Sequence, residues 1–398
     1  MSRAVSQPGA TSTRSTAPVP ATGGIAQTPR ETIGQLVKEQ EEAYKKQGLH
    51  EYAYVKPLTK SSEGELAVHR SVSTGKQYVV KHTFAFRIPG SRHREPVVRP
   101  YPNESWVLHN LVLPHPNIVQ IYETTRDRDE SGRFKIWMEM ADGGDLHDQL
   151  NFWYVKKRSW APEVFLLHVI VEMMQALAYL HHGLRGTANG KWTQDEVYNS
   201  VIHGDIKLEN VLLRWTEIPI GGLPDIVLGD FGAARLAGDT ETDLLPGTTC
   251  FHAPEDRAIT GGQRHTKETE ELYVKASANR TIAADMYSFG QIVYMLASKE
   301  FVPREIGKDP SDIRLCRDFD MPEVRELIVR CLAVDPNERA QASFDETVGI
   351  LPLVERVRKA RDERIRTRFP LDSLEWKNPP PRRMRRFRHT ARLSLHDD

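Results

Sequence analysis

One change in the hydrophobic pattern, at Gly143-Gly144-Asp145-Leu146, divides the chain into a part that predicts strands and a part that predicts helices. Between Tyr52 and His82, β-branched residues alternate with polar ones around the turn sequence STGK at 73–76, which predicts three antiparallel strands. The segments NIVQIYETT and KIWMEMA predict two more strands, and ESWVLHNLVL predicts a short helix. The first part is therefore predicted to be a five-stranded sheet with one helix.

Beyond Gly143 the apolar residues follow a helical period, most clearly over 162–182 and 284–298. Short strands are predicted there only around 210–215 and 225–229. The 398 residues exceed one average domain and suit two compact units. Together the two patterns predict an α+β fold with two lobes, a small antiparallel β-sheet lobe and a larger, mainly α-helical lobe.

Composition limits the environment and the partners of the chain. Lysine plus arginine equals aspartate plus glutamate at 54 each, so a nucleic acid or membrane partner would need a local patch of charge. Three cysteines, Cys250, Cys316 and Cys331, lack CxxC spacing, which argues against a disulfide scaffold or zinc site. The longest apolar stretch, 164–180, is interrupted by a histidine and a glutamate, so we expect a buried helix and no transmembrane segment. These features predict an intracellular protein of the cytoplasm, the nucleus or both.

The two ends differ in composition from the middle. Prolines and glycines in residues 1–28 would break the amphipathic helix of a mitochondrial presequence, so a disordered tail is predicted in preference to a transit peptide. The sequence TPRE at 28–31 starts an amphipathic helix within 29–51, which docks on the following domain or, alternatively, on a partner. Residues 352–398 are predicted to be a basic extension, a helix and then an unpacked tail. The tail suits a nuclear-import or anionic partner, or simply solvent, through arginines at 382, 383, 385, 386 and 388.

The segment HGDIKLEN, residues 203–210, carries groups that phosphoryl transfer requires, because that reaction depends on positioning and charge stabilisation. Asp205 can accept the hydrogen bond of an attacking hydroxyl, Lys207 can lie beside the transferred phosphoryl group, and Asn210 can offer a carbonyl oxygen to a hard cation. Twenty residues after Asn210, the sequence DFG puts Asp230 at a strand end, next to a glycine that permits unusual backbone angles. Either motif alone could be a polar loop or turn, but their order and separation favour a catalytic interpretation.

With these motifs, residues 52–351 resemble a eukaryotic protein kinase domain of the serine/threonine type, which has a bilobal fold. The resemblance implies ATP and Mg²⁺ as cofactors, protein substrates, no need for nucleic acid, and Asn210 and Asp230 as metal ligands. It implies that Lys81, in VVK, contacts the α and β phosphates with Glu104 as its partner. Met138 would be the gatekeeper, and backbone groups of the next two residues would face adenine. The nucleotide contacts implied in this way are Leu58, Gly64, Leu66, Val79, Lys81, Glu104, Met138, Glu139, Met140 and Leu212.

The segment GTTCFHAPE, residues 247–255, resembles the end of the family's activation segment. Thr248 in this segment is counted with the catalytic residues. By the same resemblance, Lys207 and Thr248 together imply serine or threonine as the phosphate acceptor. Asp285 in DMYSFG resembles the buried aspartate that holds the catalytic loop. Arg339 is expected to form a structural ion pair with the glutamate of APE.

Several features depart from the family pattern. The phosphate-covering loop at 58–66 keeps only the third of three glycines, which predicts weaker nucleotide binding and leaves a weak or inactive pseudokinase scaffold as an alternative. Pro102 shortens the helix that carries Glu104, so a surface glutamate at a helix start is the alternative there. Two insertions are predicted to be polar surface loops, Gly183–Ser200 and Arg257–Asn279.

Gly204 stands where the family usually has an arginine. This HGD sequence also resembles the corresponding motif of small-molecule phosphotransferases of related fold. Those enzymes, however, lack an activation segment like that at 247–255. In kinases with the arginine, its guanidinium binds a phosphate on the activation segment. Here the usual phosphate-bearing position falls on Leu244, which has no hydroxyl, so both halves of the switch are missing. We predict activity that does not require phosphorylation between Asp230 and Glu255.

Overall fold

A computed structural model describes eleven stretches of the chain: 52–61, 64–84, 101–126, 133–187, 190–217, 219–239, 247–298, 303–305, 312–315, 321–367 and 374–381. Contacts divide the chain into the units Met1–Ala53 and Tyr54–Asp398, and nearly all of the first unit lies outside these stretches. The tail predicted at 1–28 and the helix predicted within 29–51 therefore lie outside the described residues. The same holds for Leu244 and for the arginines after residue 381.

Five strands form the sheet of the first lobe: β1 (Tyr52–Ser61), β2 (Gly64–Ser71), β3 (Gln77–Phe84), β4 (Ile121–Arg126) and β5 (Arg133–Glu139). Their order is β1-β2-β3-β5-β4, which confirms the predicted five-stranded sheet. Val68, Val80 and Ile136 are fully buried on β2, β3 and β5, so alternation along these strands reflects one buried face. The helix α1 (Asn103–Asn110) begins directly after Pro102, as predicted.

The second lobe is built from helices around an apolar core. They are α2 (Leu146–Asn151), α3 (Glu163–His182), α4 (Pro254–Thr260), α5 (Glu270–Asn279), α6 (Ile282–Ser298), α7 (Pro322–Cys331) and α8 (Leu351–Thr367). A π-helical segment, Phe152–Lys157, continues α2. Helix α3 has the length and composition of a membrane span, but 94% of its apolar window is buried inside the fold. It is the buried core helix that the sequence predicts.

Short strands are more numerous in the second lobe than predicted. They are β6 (Gly144–Asp145), β7 (Leu184–Gly186), β8 (Trp192–Gln194), β9 (Val201–Ile202), β10 (Val211–Arg214), β11 (Asp225–Leu228) and β12 (Arg235–Leu236). The prediction of strands only around 210–215 and 225–229 is therefore wrong, because a strand of two or three residues is too short to show alternation. Strand β10 pairs with β11 and β6, β9 pairs with β12, and β7 pairs with β8.

The two insertions contain regular structure, which corrects the prediction of loops. Gly183–Ser200 contains the hairpin of β7 and β8, and Arg257–Asn279 contains most of α4 and all of α5. In α5, Tyr273 is buried, and its hydroxyl donates a hydrogen bond to the carbonyl oxygen of Gln263. One buried aromatic residue thus anchors a segment whose polar composition indicates a loop.

Helix α8 and residues 374–381 pack on the second lobe. The unpacked tail predicted from Lys377 onward is wrong for the described residues 377–381, where Asn378 Nδ2 donates to the Gly143 carbonyl oxygen at 3.2 Å and the Asn378 carbonyl oxygen accepts from Trp215 Nε1 at 2.9 Å. The arginine-rich helix itself is confirmed, and its Arg361 is buried against Glu172 of α3, 3.2 Å away. Trp376 is buried by aromatic rings whose centroids lie 5.1 to 5.4 Å from its own: Trp153, Phe165 and Trp215. The high content of proline and charged residues in the C-terminal region gives no sign that Trp376 is buried in this way.

Candidate active site

Strands β10 and β11 bring Asn210 and Asp230 to the same end of a short antiparallel ladder. Val211 pairs with Leu228, and the amide of Gly229 donates to the Asn210 carbonyl oxygen at 2.9 Å. The unusual backbone angles that the sequence associates with a glycine fall on Asp230 itself, at φ 61° and ψ 76°. A left-handed conformation costs a non-glycine residue on the order of 1 kcal/mol, so neighbouring contacts must hold Asp230 in place.

Asp205 accepts hydrogen bonds on both carboxylate oxygens. Oδ2 accepts from Lys207 Nζ at 2.6 Å and from Asn210 Nδ2 at 3.2 Å, and Oδ1 accepts from the amide of Thr248 at 2.7 Å. Lys207 Nζ also donates to Thr248 Oγ1 at 2.9 Å. Burial lowers the pKa of Lys207, but the charge and hydrogen bond of Asp205 outweigh it and raise that pKa above its ordinary value. The three residues predicted as catalytic therefore form one cluster with a charged ammonium at neutral pH.

The backbone just before Asp205 is fixed by Asp285, a buried residue of α6. Asp285 Oδ2 accepts from the amide of His203 at 2.7 Å, and Oδ1 accepts from the amide of Gly204 at 2.9 Å. His181 Nε2 lies 3.1 Å from the same Oδ2. Burial raises the pKa of Asp285, but the hydrogen bond and charge of His181 help to lower it overall, so the carboxylate stays ionised. These contacts confirm that Asp285 holds the loop, as predicted.

Lys81 on β3 joins the first lobe to the DFG segment. Its Nζ donates to Glu104 Oε2 and to Asp230 Oδ1, each at 2.8 Å. Lys81 is 4% exposed and Glu104 is 3% exposed. The predicted partnership of these two residues is present, and this burial excludes a surface glutamate. The contact to Asp230 also explains how the strained backbone of that residue is held.

Sequence reasoning does not single out Asn103, the first residue of α1, although it binds the DFG segment. Asn103 Nδ2 donates to the carbonyl oxygens of Gly232 at 2.9 Å and Ala234 at 2.8 Å. From the next position of the helix, Glu104 Oε1 accepts from the amide of Phe231 at 3.2 Å. Two consecutive residues thus bind backbone donors and acceptors of the same segment, and the only signal in the sequence is a polar residue at the start of a short helix.

Of the residues predicted to contact nucleotide, Leu66, Val79 and Met138 lie beside Lys81 on the paired strands β2, β3 and β5. Val79 pairs in register with Met138 on β5, and Met138 is buried. Leu66 and Leu212 are partly buried and pack against the core, while Leu58 on β1 is 38% exposed. Leu66 lies directly opposite Lys81 in the pairing of β2 with β3.

Gly64 and Glu139, both predicted to contact nucleotide, also have structural roles. A Cβ at Gly64 would collide with the carbonyl oxygen of His82, so β-sheet packing by itself requires this glycine. The amide of Glu139 donates to the Gln120 carbonyl oxygen at 2.9 Å, and its Oε2 accepts from Arg214 at 2.7 Å. The N–H group of Glu139 is therefore used within the protein, and the expectation that backbone groups of Glu139 and Met140 face adenine stays a prediction. Met140, the next residue, is half-buried.

The ion pair predicted for Arg339 is present and bidentate. Its Nη1 and Nη2 donate to the two carboxylate oxygens of Glu255 at 2.7 and 2.8 Å. Arg339 is fully buried and also donates to the carbonyl oxygens of Ala283 and Ala333. The pair thus anchors the end of the activation segment to the second lobe.

Asn210 and Asp230 fit a divalent cation by the chemistry of their donor atoms. Asn210 Nδ2 donates to the Asp205 carbonyl oxygen at 2.8 Å, which assigns the amide oxygen Oδ1 as the ligand atom. The Asp230 side chain is 28% exposed, so its carboxylate remains accessible beside Lys81. An amide oxygen and a carboxylate at one end of a ladder are the ligands that hard divalent cations prefer.

Comparison with known proteins agrees with this geometry. Residues 56–346 match the protein kinase domain. The meiosis-specific serine/threonine-protein kinase mek1 of Schizosaccharomyces pombe is 30% identical over 275 residues, which cover 67% of this chain and 52% of that protein. The serine/threonine-protein kinase Nek8 of Danio rerio is 28% identical over 263 residues, covering 63% of this chain and 31% of that protein. The chain thus spans about half the length of the first relative and less than a third of the second.

Proposed function

The chain belongs to the protein kinase family, and on that premise we propose that it is an ATP-dependent serine/threonine protein kinase. It transfers the γ-phosphoryl group of ATP to serine and threonine hydroxyls of protein substrates. The observation that carries the proposal is the cluster in which Asp205 accepts hydrogen bonds from Lys207 and from the amide of Thr248, with Asn210 beside it. A degenerate site that had lost catalysis has no need to keep all four groups in contact.

In this proposal Asp205 orients the acceptor hydroxyl and accepts its hydrogen bond. Lys207 stabilises the negative charge of the transferred phosphoryl group, and the raised pKa keeps it charged. Lys81, held by Glu104, binds the α and β phosphates. A divalent cation held by Asn210 and Asp230 neutralises phosphate charge when bound, and Mg²⁺ is the proposed ion.

The choice of serine or threonine as acceptor rests on Lys207 and Thr248. Lys207 Nζ lies 2.9 Å from Thr248 Oγ1, so the two side chains form one wall beside Asp205. The names of the relatives mek1 and Nek8 state the same acceptor class for those proteins. This supports, for this chain, the acceptor class implied by the two residues.

Incubation with γ-radiolabelled ATP, Mg²⁺ and a generic protein substrate tests the function directly. Acid hydrolysis of the labelled protein should release phosphoserine and phosphothreonine. Label found only in phosphotyrosine would contradict the acceptor class. No transfer, together with no nucleotide binding in a titration to millimolar ATP, would favour the non-catalytic scaffold.

Regulation is proposed to be independent of phosphorylation between Asp230 and Glu255, because position 204 is glycine and Leu244 has no hydroxyl.

The protein is further proposed to be intracellular, in the cytoplasm, the nucleus or both. Its arginine-rich end is proposed to bind a nuclear-import or anionic partner. Deletion of residues 382–398 should redistribute a fluorescently tagged protein in cells, and an unchanged distribution would count against the role of this end.

A further inference from the structure

The backbone conformation of Gly204 and its close neighbours together act against a side chain at this position. Its φ is +80°, and a Cβ there would lie 2.8 Å from the carbonyl oxygen of Ala233 and 3.4 Å from Arg280 Nη1. The first distance is shorter than real Cβ contacts allow, and it involves backbone. The guanidinium of Arg280, a residue just before α6, lies beside this position.

Arg280 connects the catalytic loop to the end of the activation segment. Its Nη1 donates to the Gly204 carbonyl oxygen at 2.6 Å, and its Nε donates to Asp256 Oδ2 at 2.9 Å. Both side chains of this ion pair are buried, Arg280 at 6% and Asp256 at 2% exposure. Asp256 directly follows the glutamate of APE. One guanidinium thus binds two segments that must be aligned for a protein substrate to meet Asp205.

Two further observations show that the surroundings of Arg280 are closely packed. A Cβ at Gly247, where φ is +71°, would lie 2.5 Å from the Gly204 carbonyl oxygen and 3.4 Å from Arg280 Nη1. Arg235 of β12 donates to the carbonyl oxygen of Arg280 at 2.6 Å. Arg280 is therefore packed between the catalytic loop, the start of the substrate-binding segment and the segment that follows DFG.

We propose that Arg280 is a positioning residue for phosphoryl transfer, an inference that rests on the proposed function. It holds the carbonyl of Gly204, and thereby the adjacent Asp205, through an ion pair with Asp256 that is built into the chain. An internal carboxylate makes this connection permanent, because no modification is needed to supply the negative charge. The glycine at 204 has no side chain to crowd the guanidinium, and Arg280 in turn binds the carbonyl oxygen of that glycine.

The test compares Arg280→Met and Arg280→Lys with the wild-type full chain. Arg280→Met should lower kcat about tenfold or more while KM for ATP stays within about twofold, because the groups around Lys81 are unchanged. Arg280→Lys should recover part of kcat, since one ammonium can replace the contact with Gly204 or the contact with Asp256. Arg185→Met is the matched control, because it removes an ion pair with Asp195 at 2.9 Å that is only partly buried. Arg185 lies in the β7–β8 hairpin, so this variant should retain the wild-type kcat.

Hydrogen exchange of the segment 201–208 provides a readout that does not depend on activity. Exchange at the amides of Gly204 and Asp205 should accelerate in Arg280→Met and remain at the wild-type rate in Arg185→Met. Wild-type kcat and wild-type exchange in Arg280→Met would overturn the proposal. A wild-type protein without transferase activity would count against the proposed function, while exchange would still decide the role of Arg280.

A phosphate bound between Arg235 and Arg280 is the competing explanation for two adjacent buried guanidinium groups. Among the described residues Arg235 Nη1 has no hydrogen-bond partner, and burial together with the charge of Arg280 lowers its pKa. Phosphatase treatment of the wild type separates the two explanations. Unchanged kcat after complete dephosphorylation supports the internal pair with Asp256. A loss of kcat to the level of Arg280→Met would overturn it, because Arg280 would then act as a phosphate receptor.

Discussion

Lys81 donates a hydrogen bond to Glu104 across 2.8 Å, although α1 begins only one residue before Glu104. Both side chains are buried, so neutralising the carboxylate removes a charged contact of the ammonium, while the contact with Asp230 remains. We expect Glu104→Gln to preserve the shape of the site, to let Lys81 shift toward Asp230, and to lower kcat roughly 10- to 100-fold. Steady-state kinetics with ATP and a generic protein substrate measures the change.

Glu123→Gln is the matched control, because Glu123 is an exposed carboxylate on β4 in the same lobe. Its kcat should equal that of the wild type. If Glu104→Gln also retained the wild-type kcat, the positioning of Lys81 by Glu104 would be unnecessary and this account of the pair would fail.

The aromatic anchor of the C-terminal region should contribute to stability. Trp376 packs against Trp153, Phe165 and Trp215, and Trp153 Nε1 donates to the neighbouring Glu375 carbonyl oxygen at 2.7 Å. Truncating a buried tryptophan removes apolar contacts and leaves a cavity, so Trp376→Ala should lower the free energy of unfolding by about 3 kcal/mol. Urea denaturation measures it. Deleting residues 382–398 should leave the unfolding midpoint unchanged, and equal midpoints for all three proteins would show that the anchor adds nothing.

Acid should destabilise the fold partly through His115. Its ring stacks on Tyr179 with centroids 4.9 Å apart, and its Nδ1 accepts from the amide of Asn117 at 3.1 Å. Burial and the charge of Arg185 lower the pKa of His115 to about 3. An unfolded histidine takes up its proton near pH 6.5, so the unfolded state binds one more proton between that pH and the folded pKa. The free energy of unfolding should therefore fall by about 1.4 kcal/mol for each pH unit below pH 6.5 from this residue alone.

His115→Asn tests this contribution, because an asparagine oxygen can still accept from the Asn117 amide. The substitution also removes the stacking on Tyr179, so the decisive quantity is the change in the free energy of unfolding between two pH values, not its value at neutral pH. Between about pH 7 and about pH 5 the variant should lose about 2 kcal/mol less than the wild type in chemical denaturation. Identical losses in the two proteins would mean that His115 does not titrate abnormally.

The sheet and the catalytic cluster follow from signals that are local in sequence. Alternation over eight or more residues identifies β2 and β3, and Asp205, Lys207 and Asn210 lie within one segment. A single 3₁₀ turn, Leu208–Asn210, brings Asn210 back to within 3.2 Å of the Asp205 carboxylate. By contrast, the two-residue strands β9 and β12 have no period to detect, and they form because their segments are brought together by the rest of the lobe.

The features that sequence reasoning misses depend on contacts between distant segments. Asn103 meets Gly232 across 129 positions, and Arg280 meets Gly204 across 76. Nothing in the neighbourhood of either polar residue distinguishes it from a surface side chain. Trp376 is hidden for a different reason, because a segment rich in proline and arginine can still dock through one large apolar group.

The proposed mechanism depends on Asp205, which orients the acceptor hydroxyl in phosphoryl transfer. The most direct measurement is the single-turnover rate of transfer from γ-radiolabelled ATP to a generic protein substrate by the wild type and by Asp205→Ala, with ATP affinity measured for both. The rate should fall about 10²- to 10⁴-fold in the variant while ATP affinity is retained, because Lys81 and its partners are untouched. Equal transfer rates for the wild type and Asp205→Ala would contradict this mechanism.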